Sequence, residues 1–407
     1  MKLREIEMYQ KQYETELFDR VLPFWMTHSP DPVYGGIYNC LDNAGKVYST
    51  DKSVWAQGRT AWIFPHLCTV YGIRQEWLDI AKSCLDFLDS CCIDQTDGRM
   101  YFTTTGDGLP LRKRRYLFSE MFYILGNAEY FSVTKDQETL EKARQYYEFV
   151  WNIYQNPAAD PFQITPKFIS STRSTKALAY PMILLNVTSI MRRCDPINID
   201  LYNKRLKEIT ADIIENFYKP ELHCLLESVG MDGAFHSTYS AGRVVNPGHS
   251  MEAAWFLLNE FRYYHDNVLL EISQNIFDWS IDIGWDKEYG GILYYTDILG
   301  CPPEQYEHDM KLWWPHCEAL IASLMLYRYT GKQIYADWFE TIGAYCFDVF
   351  SDPQSGDWYG YLRRDGKPTQ PACKGSTYKS GFHLIRMLSM VERMLNEMLR
   401  EQETSGH

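Results

Sequence analysis

Over most of this chain, apolar side chains recur at three- and four-residue spacing. The pattern runs through Ser53–Gly72 (SVWAQGRTAWIFPHLCTVYG), Gln75–Cys92, Ser119–Thr134, His249–His265 (HSMEAAWFLLNEFRYYH) and Cys317–Gly331, with Gly or Asp-Pro at the ends. That spacing predicts α-helices. Between them a second pattern returns: a short strand, a Gly- or Asp-containing turn, and another short strand. It begins at Tyr34 (YGGIYNCLDNAGKVY), Asp97 (DGRMYFTTTGDGLPL), His223 (HCLLESVGMDGAFH), Tyr289 (YGGILYYTDILGCPP) and Gly356 (GDWYGYLRRDGKPT). The starts lie about 60 to 70 residues apart, apart from one double gap whose missing member falls near 161–163. Two helices per interval and about six intervals predict about twelve helices. Helical pairs stacked in a row need caps or closure. Six pairs closing on themselves give an all-α (α/α)6 barrel with short β-hairpins in its connections. An open solenoid with repeats of about 34 residues is the alternative, and it needs no hairpins. The expected layout is one catalytic domain over 1–400 and a frayed tail, EQETSGH, over 401–407.

Composition narrows the class. Apolar residues make up 45% of the 407 and charged residues 23%, enough for a large core and unlike a disordered chain. A formal charge of -13 with no basic block speaks against nucleic acid and anionic membranes as partners. The 12 Trp and 30 Tyr are core material, and they can also wall a sugar site. The 11 Cys form no C-x-x-C, so neither zinc nor a disulfide framework is signalled, and buried reduced thiols are expected. The amphipathic N-terminus lacks the apolar centre of a signal peptide, and no apolar run is long enough to cross a bilayer; the cytoplasm is the default location.

Four segments set ionisable groups beside apolar helical runs: SVWAQGRTAWIF with Arg59, NPGHSMEAAWFLL with His249 and Glu252, KLWWPHCEALIASLM with His316 and Glu318, and KGSTYKSGFHLIRML with His383 and Arg386. Charge in apolar surroundings needs a partner. Arg59 suits an ion pair between helices or a contact to a sugar oxygen. Glu252 and Glu318 suit pairing with arginine, or orientation of a histidine. His249, three residues before Glu252, is either part of a helix cap or a proton carrier. His383 occupies a similar Gly-preceded helix start in another repeat. If inner helices begin at one rim, the two imidazoles face each other across a pocket. No H-E-x-x-H, G-x-S-x-G, Rossmann glycine pattern or Walker A loop occurs; Gly366-Lys367 runs into Pro368.

Together these pieces, with VWAQGR, FSEMFY, YPMILLN, KLWWPHCEALIA, DWYGYLRRDGK and KSGFH in order along the chain, resemble the N-acylglucosamine 2-epimerase family. The resemblance implies an (α/α)6 barrel. It implies His383 and His249 as catalytic histidines, Arg59 as the substrate-contacting arginine, and Glu318 and Glu252 as acidic groups of the pocket. It also brings Glu120 and Met182, in FSEMFY and YPMILLN, among the substrate-binding residues. Related neutral-sugar epimerases and isomerases carry a further pocket histidine on a middle helix, where LAYPMILLN offers none; this favours the N-acyl-amino-sugar branch. The implied reaction interconverts N-acetylglucosamine and N-acetylmannosamine. The ring opens, one imidazole removes the C2 proton, and the other protonates the opposite face. Arg59 stabilises charge on O1, His383 acts as base toward the gluco epimer, and Trp55, Trp313 and Trp314 are candidate walls. No metal or required cofactor is expected. ATP acts as an allosteric activator in some members of the family, and homodimers are common there. The competing expectations are an isomerase or 2-epimerase of neutral sugars such as mannose or cellobiose, a non-catalytic protein-binding module, and a glycoside hydrolase using paired carboxylates.

Overall fold

The apolar spacing is realised as helices, and burial separates them into two layers. The computed structural model describes residues 1–114, 116–162, 169 and 171–405. Its first rod is a continuous helical run: α1 (Leu3–Thr15), a π-helical turn (Glu16–Val21) and α2 (Leu22–His28). Five antiparallel pairs follow: α3 (Val54–Tyr71) with α4 (Gln75–Cys91), α5 (Phe118–Thr134) with α6 (Gln137–Gln155), α7 (Ala179–Cys194) with α8 (Ile199–Asn216), α9 (Pro247–Tyr264) with α10 (Asn267–Gly284), and α11 (Trp313–Thr330) with α12 (Gln333–Val349). The last helix, α13 (Phe382–Ser405), packs against α1, so the two ends of the chain supply the sixth pair.

Helices α3, α5, α7, α9, α11 and α13 form the inner layer; each packs on the next, and α13 packs on α3. That closed ring is an (α/α)6 barrel. Inner helices are buried all round: every residue of α11 from Trp313 to Leu326 is buried. Outer helices bury one stripe, as in α4, where Trp77, Leu78, Ala81, Cys84, Leu85 and Leu88 repeat at helical spacing. Small residues set the closest approach. A Cβ on Gly58 of α3 would lie 2.8 Å from the Phe122 backbone of α5, and one on Gly126 would lie 2.8 Å from the Ala61 Cβ.

The recurring turns differ from simple hairpins. Cys40–Leu41 with Val47–Ser49, and Thr103–Thr104 with Pro110–Arg112, do close on themselves. Thr103–Thr104 also pairs across repeats, with Lys52–Ser53, and the later members do likewise. Ser228–Gly230 pairs with Thr175–Ala177, Thr296–Asp297 with Val244–Val245, and Tyr361–Leu362 with Lys311–Leu312. Each partner strand leads into an inner helix of the preceding unit, so the ladders stitch neighbouring units along one rim. Turn chemistry is local and visible in sequence; the choice of strand partner is not. The missing member near 161–163 falls partly outside the described residues.

An aspartate organises the turn in four repeats. Asp31 accepts the N–H groups of Val33 and Tyr34, and its second oxygen binds Lys52 at 2.7 Å. Asp286 does the same with Glu288, Tyr289 and Lys311. Asp352 accepts from Gln354 and Ser355 and pairs with Lys374; Asp94 accepts from Thr96 and pairs with Lys113. In the Y-G-G turns both glycines have φ near +70°, the left-handed region that suits them: +77° and +66° at Gly35 and Gly36, +72° and +77° at Gly290 and Gly291. Lys52 and Lys311 sit just before α3 and α11, so each buried pair ties a turn to the start of an inner helix.

Residues 401–405, expected as a tail, continue α13; 406 and 407 lie outside the described residues. No helix among the described residues is long and apolar enough to cross a membrane. Eight of the cysteines are buried, Cys91 and Cys373 are half-buried, and Cys301 is exposed.

The Lys52–Asp31 pair is fully buried on both sides. Replacing Lys52 with Ala leaves Asp31 charged without its partner, and we expect a loss of about 3–5 kcal/mol in urea unfolding. A loss below about 1 kcal/mol would show that the turn holds without the pair.

Candidate active site

Every inner helix is entered from the rim that carries the short ladders, so the N-terminal halves of the inner helices surround one opening. A cavity of about 490 Å³ lies there. Its wall takes Trp55 and Arg59 from α3, Phe122 and Leu125 from α5, Ile183 and Asn186 from α7, His249, Glu252 and Phe256 from α9, Trp313 and Trp314 from α11, and Phe382, His383 and Arg386 from α13. Tyr294, Glu307 and Met310 from the loop before α11, with Tyr361 and Tyr378 before α13, complete the mouth. Helix N-termini carry partial positive charge, so this end of the ring favours negative charge developing on a bound molecule.

His249 stands in the first turn of α9. Asn246 caps the helix by accepting the His249 backbone N–H at 3.1 Å, and Pro247 occupies the first helical position. Gly248 lets α9 approach α11: a Cβ there would lie 2.7 Å from the Trp314 ring. The imidazole Nδ1 lies 3.0 Å from both oxygens of Glu227, which fixes Nδ1 as the donor and leaves Nε2 for the cavity. Burial alone would lower the pKa of His249. The Glu227 carboxylate, helped by Glu252 and Glu318, outweighs burial and holds the imidazole above its ordinary value.

His383 stands in the first turn of α13 and is placed in the opposite way. Its Nδ1 lies 2.7 Å from Glu318, again leaving Nε2 without a hydrogen-bond partner among the described residues. Burial pushes its pKa well down, and the neighbouring guanidinium groups of Arg59 and Arg386 push it further. The ring of Trp314 packs against both histidines, with centroids 5.1 Å from His249 and 5.8 Å from His383. The cavity therefore holds two imidazoles whose proton affinities are shifted in opposite directions, beside one indole.

Glu318 is not on the cavity wall. It is fully buried behind His383, where Oε1 accepts from His383 and from Arg386 at 2.6 Å, and Oε2 accepts from the Trp255 indole at 2.8 Å. Arg386 also donates to Glu252 at 2.9 Å. Glu252, Glu318 and His383 bring three donor atoms within 4.8 Å of one another, a density that suits a cation. The Arg386 guanidinium already supplies positive charge between the two carboxylates. Both glutamates share Arg386, which makes them partners of one guanidinium rather than an independent acid and nucleophile.

Arg59 has no ion pair among the described residues. Its guanidinium carbon lies 4.3 Å from the Phe122 ring centroid, between Phe122, Phe382 and Trp55. It gives one hydrogen bond, to the Tyr378 carbonyl at 3.3 Å, and its buried Nε–H has no partner. Burial lowers its pKa to about 10, so it remains charged at neutral pH. Of the two sequence alternatives, the inter-helix ion pair is not formed; donors are left for a ligand.

Two residues expected at the substrate lie elsewhere. Glu120 faces away from the cavity, accepting from Arg99 at 2.7 Å and from the Met100 backbone at 2.8 Å. Met182 is fully buried in the core, while the next residue, Ile183, faces the cavity. One residue turns a helix by about 100°, and a resemblance alone does not fix that phase. His316 is a satisfied core histidine: Nδ1 donates to the Leu312 carbonyl at 2.7 Å and Nε2 accepts the Ile292 N–H at 2.8 Å. Burial drives its pKa to about 3.

Sequence reasoning missed Glu227, Asn186, Tyr294, Glu307, Tyr361 and Tyr378. Glu227 left a trace as a lone acid inside the strand pattern CLLESV. Arg386 was visible as the i+3 neighbour of His383, just as Glu252 is of His249.

An (α/α)6 barrel with a polar cavity at the N-terminal ends of its inner helices is the class that fold and site define. A family model described as N-acylglucosamine 2-epimerase (GlcNAc 2-epimerase) matches residues 36–385. The chain is 35% identical over 403 residues to the N-acylglucosamine 2-epimerase of Rattus norvegicus, covering 98% of this chain and 95% of the rat protein. It is 32% identical over 405 residues to that of Homo sapiens, covering 98% and 93%. The structure of cellobiose 2-epimerase from Spirochaeta thermophila DSM 6192 superposes with a TM-score of 0.83 at 19% identity, covering 97% of this chain and 98% of that one; this likeness is one of fold. The chain belongs to the N-acylglucosamine 2-epimerase family.

If Glu318 sets the tautomer of His383, Glu318→Gln should lower kcat by at least about 10²-fold while KM moves far less. Steady-state kinetics beside a melting curve checks this. A folded variant with unchanged kcat would show that Glu318 is needed only for packing.

Proposed function

We propose that this protein is a sugar 2-epimerase that interconverts N-acetylglucosamine and N-acetylmannosamine by moving a proton at C2 of the open-chain form. The observation that carries the proposal is the pair of cavity-facing imidazoles, each anchored through Nδ1 to a different glutamate and surrounded by opposite electrostatics. Full-length similarity to curated N-acylglucosamine 2-epimerases supports the substrate class.

The chemistry follows from what each group offers. In the open-chain aldehyde, the C2–H is acidified by the C1 carbonyl. Neutral His383 takes this proton on Nε2; the C–H electrons form the C1–C2 double bond and charge passes to O1. Arg59, with unpaired N–H groups held on aromatic faces, stabilises that oxyanion. One such donor contributes about 3 kcal/mol in comparable sites. His249, whose carboxylate neighbours favour the imidazolium, delivers a proton to the opposite face of C2 and inverts it. The reverse direction uses the same groups with the proton inventory exchanged. A nitrogen substituent at C2 also blocks the collapse to a ketose that a C2 hydroxyl permits, so inversion is the productive outcome. Trp55, Trp313 and Trp314 wall the sugar, and Glu252 stays paired with Arg386 at the cavity edge.

Two outcomes test this. His249→Ala and His383→Ala should each abolish exchange of the C2 proton of N-acetylmannosamine into deuterium oxide in at least one direction, followed by NMR; full activity in either variant would sink the two-base scheme. The pH profile should be bounded by the two shifts. In the direction begun by His383, kcat/KM should fall on the acid side only below about pH 6.5, where His383 charges. It should fall on the alkaline side above that value, where His249 loses its proton. Glu227→Gln removes the charge that favours imidazolium at His249, so the alkaline limb should move to lower pH while the acid limb stays. An unmoved alkaline limb would show that His249 is not the group titrating there.

A further inference from the structure

The cavity has two unlike halves, and the second is not used by the proton-transfer scheme. Its polar half comes from α3, α9, α11 and α13. Facing it across the ring, α5 lies opposite α11 and α7 lies opposite α13. These two helices contribute Phe122, Leu125 and Ile183, with Phe256 of α9 at their edge. The one polar side chain they add is Asn186 of α7, a half-buried carboxamide with no hydrogen-bond partner among the described residues. Its polar atoms are open to the cavity, so a ligand entering here meets a free donor and acceptor set among phenyl and aliphatic groups.

We infer that the α5–α7 wall is the acyl-group subsite, in which the Asn186 side-chain N–H donates to the acyl carbonyl and Leu125 and Ile183 take up the acyl methyl. This rests on the reading of the protein as an epimerase of N-acyl amino sugars. The geometry follows from the ring order. C2 is held between His249 of α9 and His383 of α13, backed by Trp314 of α11, with O1 toward Arg59 of α3. Two substituents of C2 are then left, C3 and the nitrogen: the hydroxyl-bearing chain beyond C3 suits the polar mouth at Tyr294, Glu307 and Tyr378, which directs the nitrogen away from α11, toward α5 and α7. A C2 hydroxyl would gain nothing from an apolar wall; a short acyl chain with one carbonyl matches it in polarity and size. A hydrogen bond from the carboxamide also draws electron density from the acyl group, which aids loss of the C2 proton.

The test uses the full chain with N-acetylmannosamine and N-butanoylmannosamine, followed by C2-proton exchange and steady-state kinetics. If the unaltered protein does not exchange the C2 proton of N-acetylmannosamine, the parent reading fails, whatever Asn186 does. If it does, Asn186→Ala should raise KM about tenfold, with kcat falling much less. Asn186→Asp keeps the shape but loses the donor, and should lose at least as much. Ile183→Ala should shift the kcat/KM ratio about tenfold toward the longer acyl chain. Near-wild-type melting curves and circular dichroism set aside a folding defect, since Asn186 and Ile183 are only half-buried. An active protein whose folded Asn186→Ala variant keeps its KM, whose Asn186→Asp variant keeps full activity, or whose Ile183→Ala variant keeps its acyl preference would overturn the assignment.

Discussion

Glu318 joins three inner helices at one point. It rises from α11, takes the indole N–H of Trp255 from α9, and takes Arg386 and His383 from α13. A fully buried carboxylate is tolerated only when its charge is matched, and here a guanidinium, an indole and an imidazole together occupy both oxygens. The same contacts that make this charge affordable also fix where His383 points. The ring of helices and the orientation of the imidazole are thus one arrangement, and neither can be altered alone.

The two histidines then differ through their surroundings, although both begin an inner helix and both donate Nδ1 to a glutamate. His249 has its own carboxylate, Glu227, brought by the bend between the short strands Cys224–Leu225 and Ser228–Gly230, outside the helical ring. His383 shares Glu318 with Arg386 and lies near Arg59. Two cations beside one imidazole and an unshared carboxylate beside the other separate their proton affinities. A reaction that removes a proton on one face and returns one on the other needs such a difference at rest. Trp314 packs against both rings and so belongs to the surroundings of each.

The rim ladders explain why these groups meet at all. Strands leading into α7, α9 and α11 pair with strands from the next repeat, and the buried Asp–Lys pairs lock Lys52 and Lys311 just ahead of α3 and α11. The approaches to α3 and α11 are therefore held by a ladder and a buried ion pair together, and those to α7 and α9 by a ladder. His249, in the first turn of α9, inherits that placement; loop residues such as Glu307 and Tyr378 only border the mouth.

The amino-acid sequence by itself determined the helices, their number to within one, the turn between pairs, and the presence of Arg59, His249, His383, Glu252 and Glu318 at helix starts. These are local properties, written in three- and four-residue spacing, in Gly and Asp at turns, and in charge set against apolar runs. Only the tertiary structure decided strand partners, the phase of each helix about its axis, and the electrostatic identity of each histidine. Glu120 and Met182 lie away from the cavity because a rotation of about 100° per residue separates a wall from a core position. Glu227 reaches His249 from 22 residues upstream, and Glu318 reaches His383 across 65. Proton affinity in a buried site is set by whichever charges the fold brings within a few ångströms, and no spacing along the chain encodes that sum.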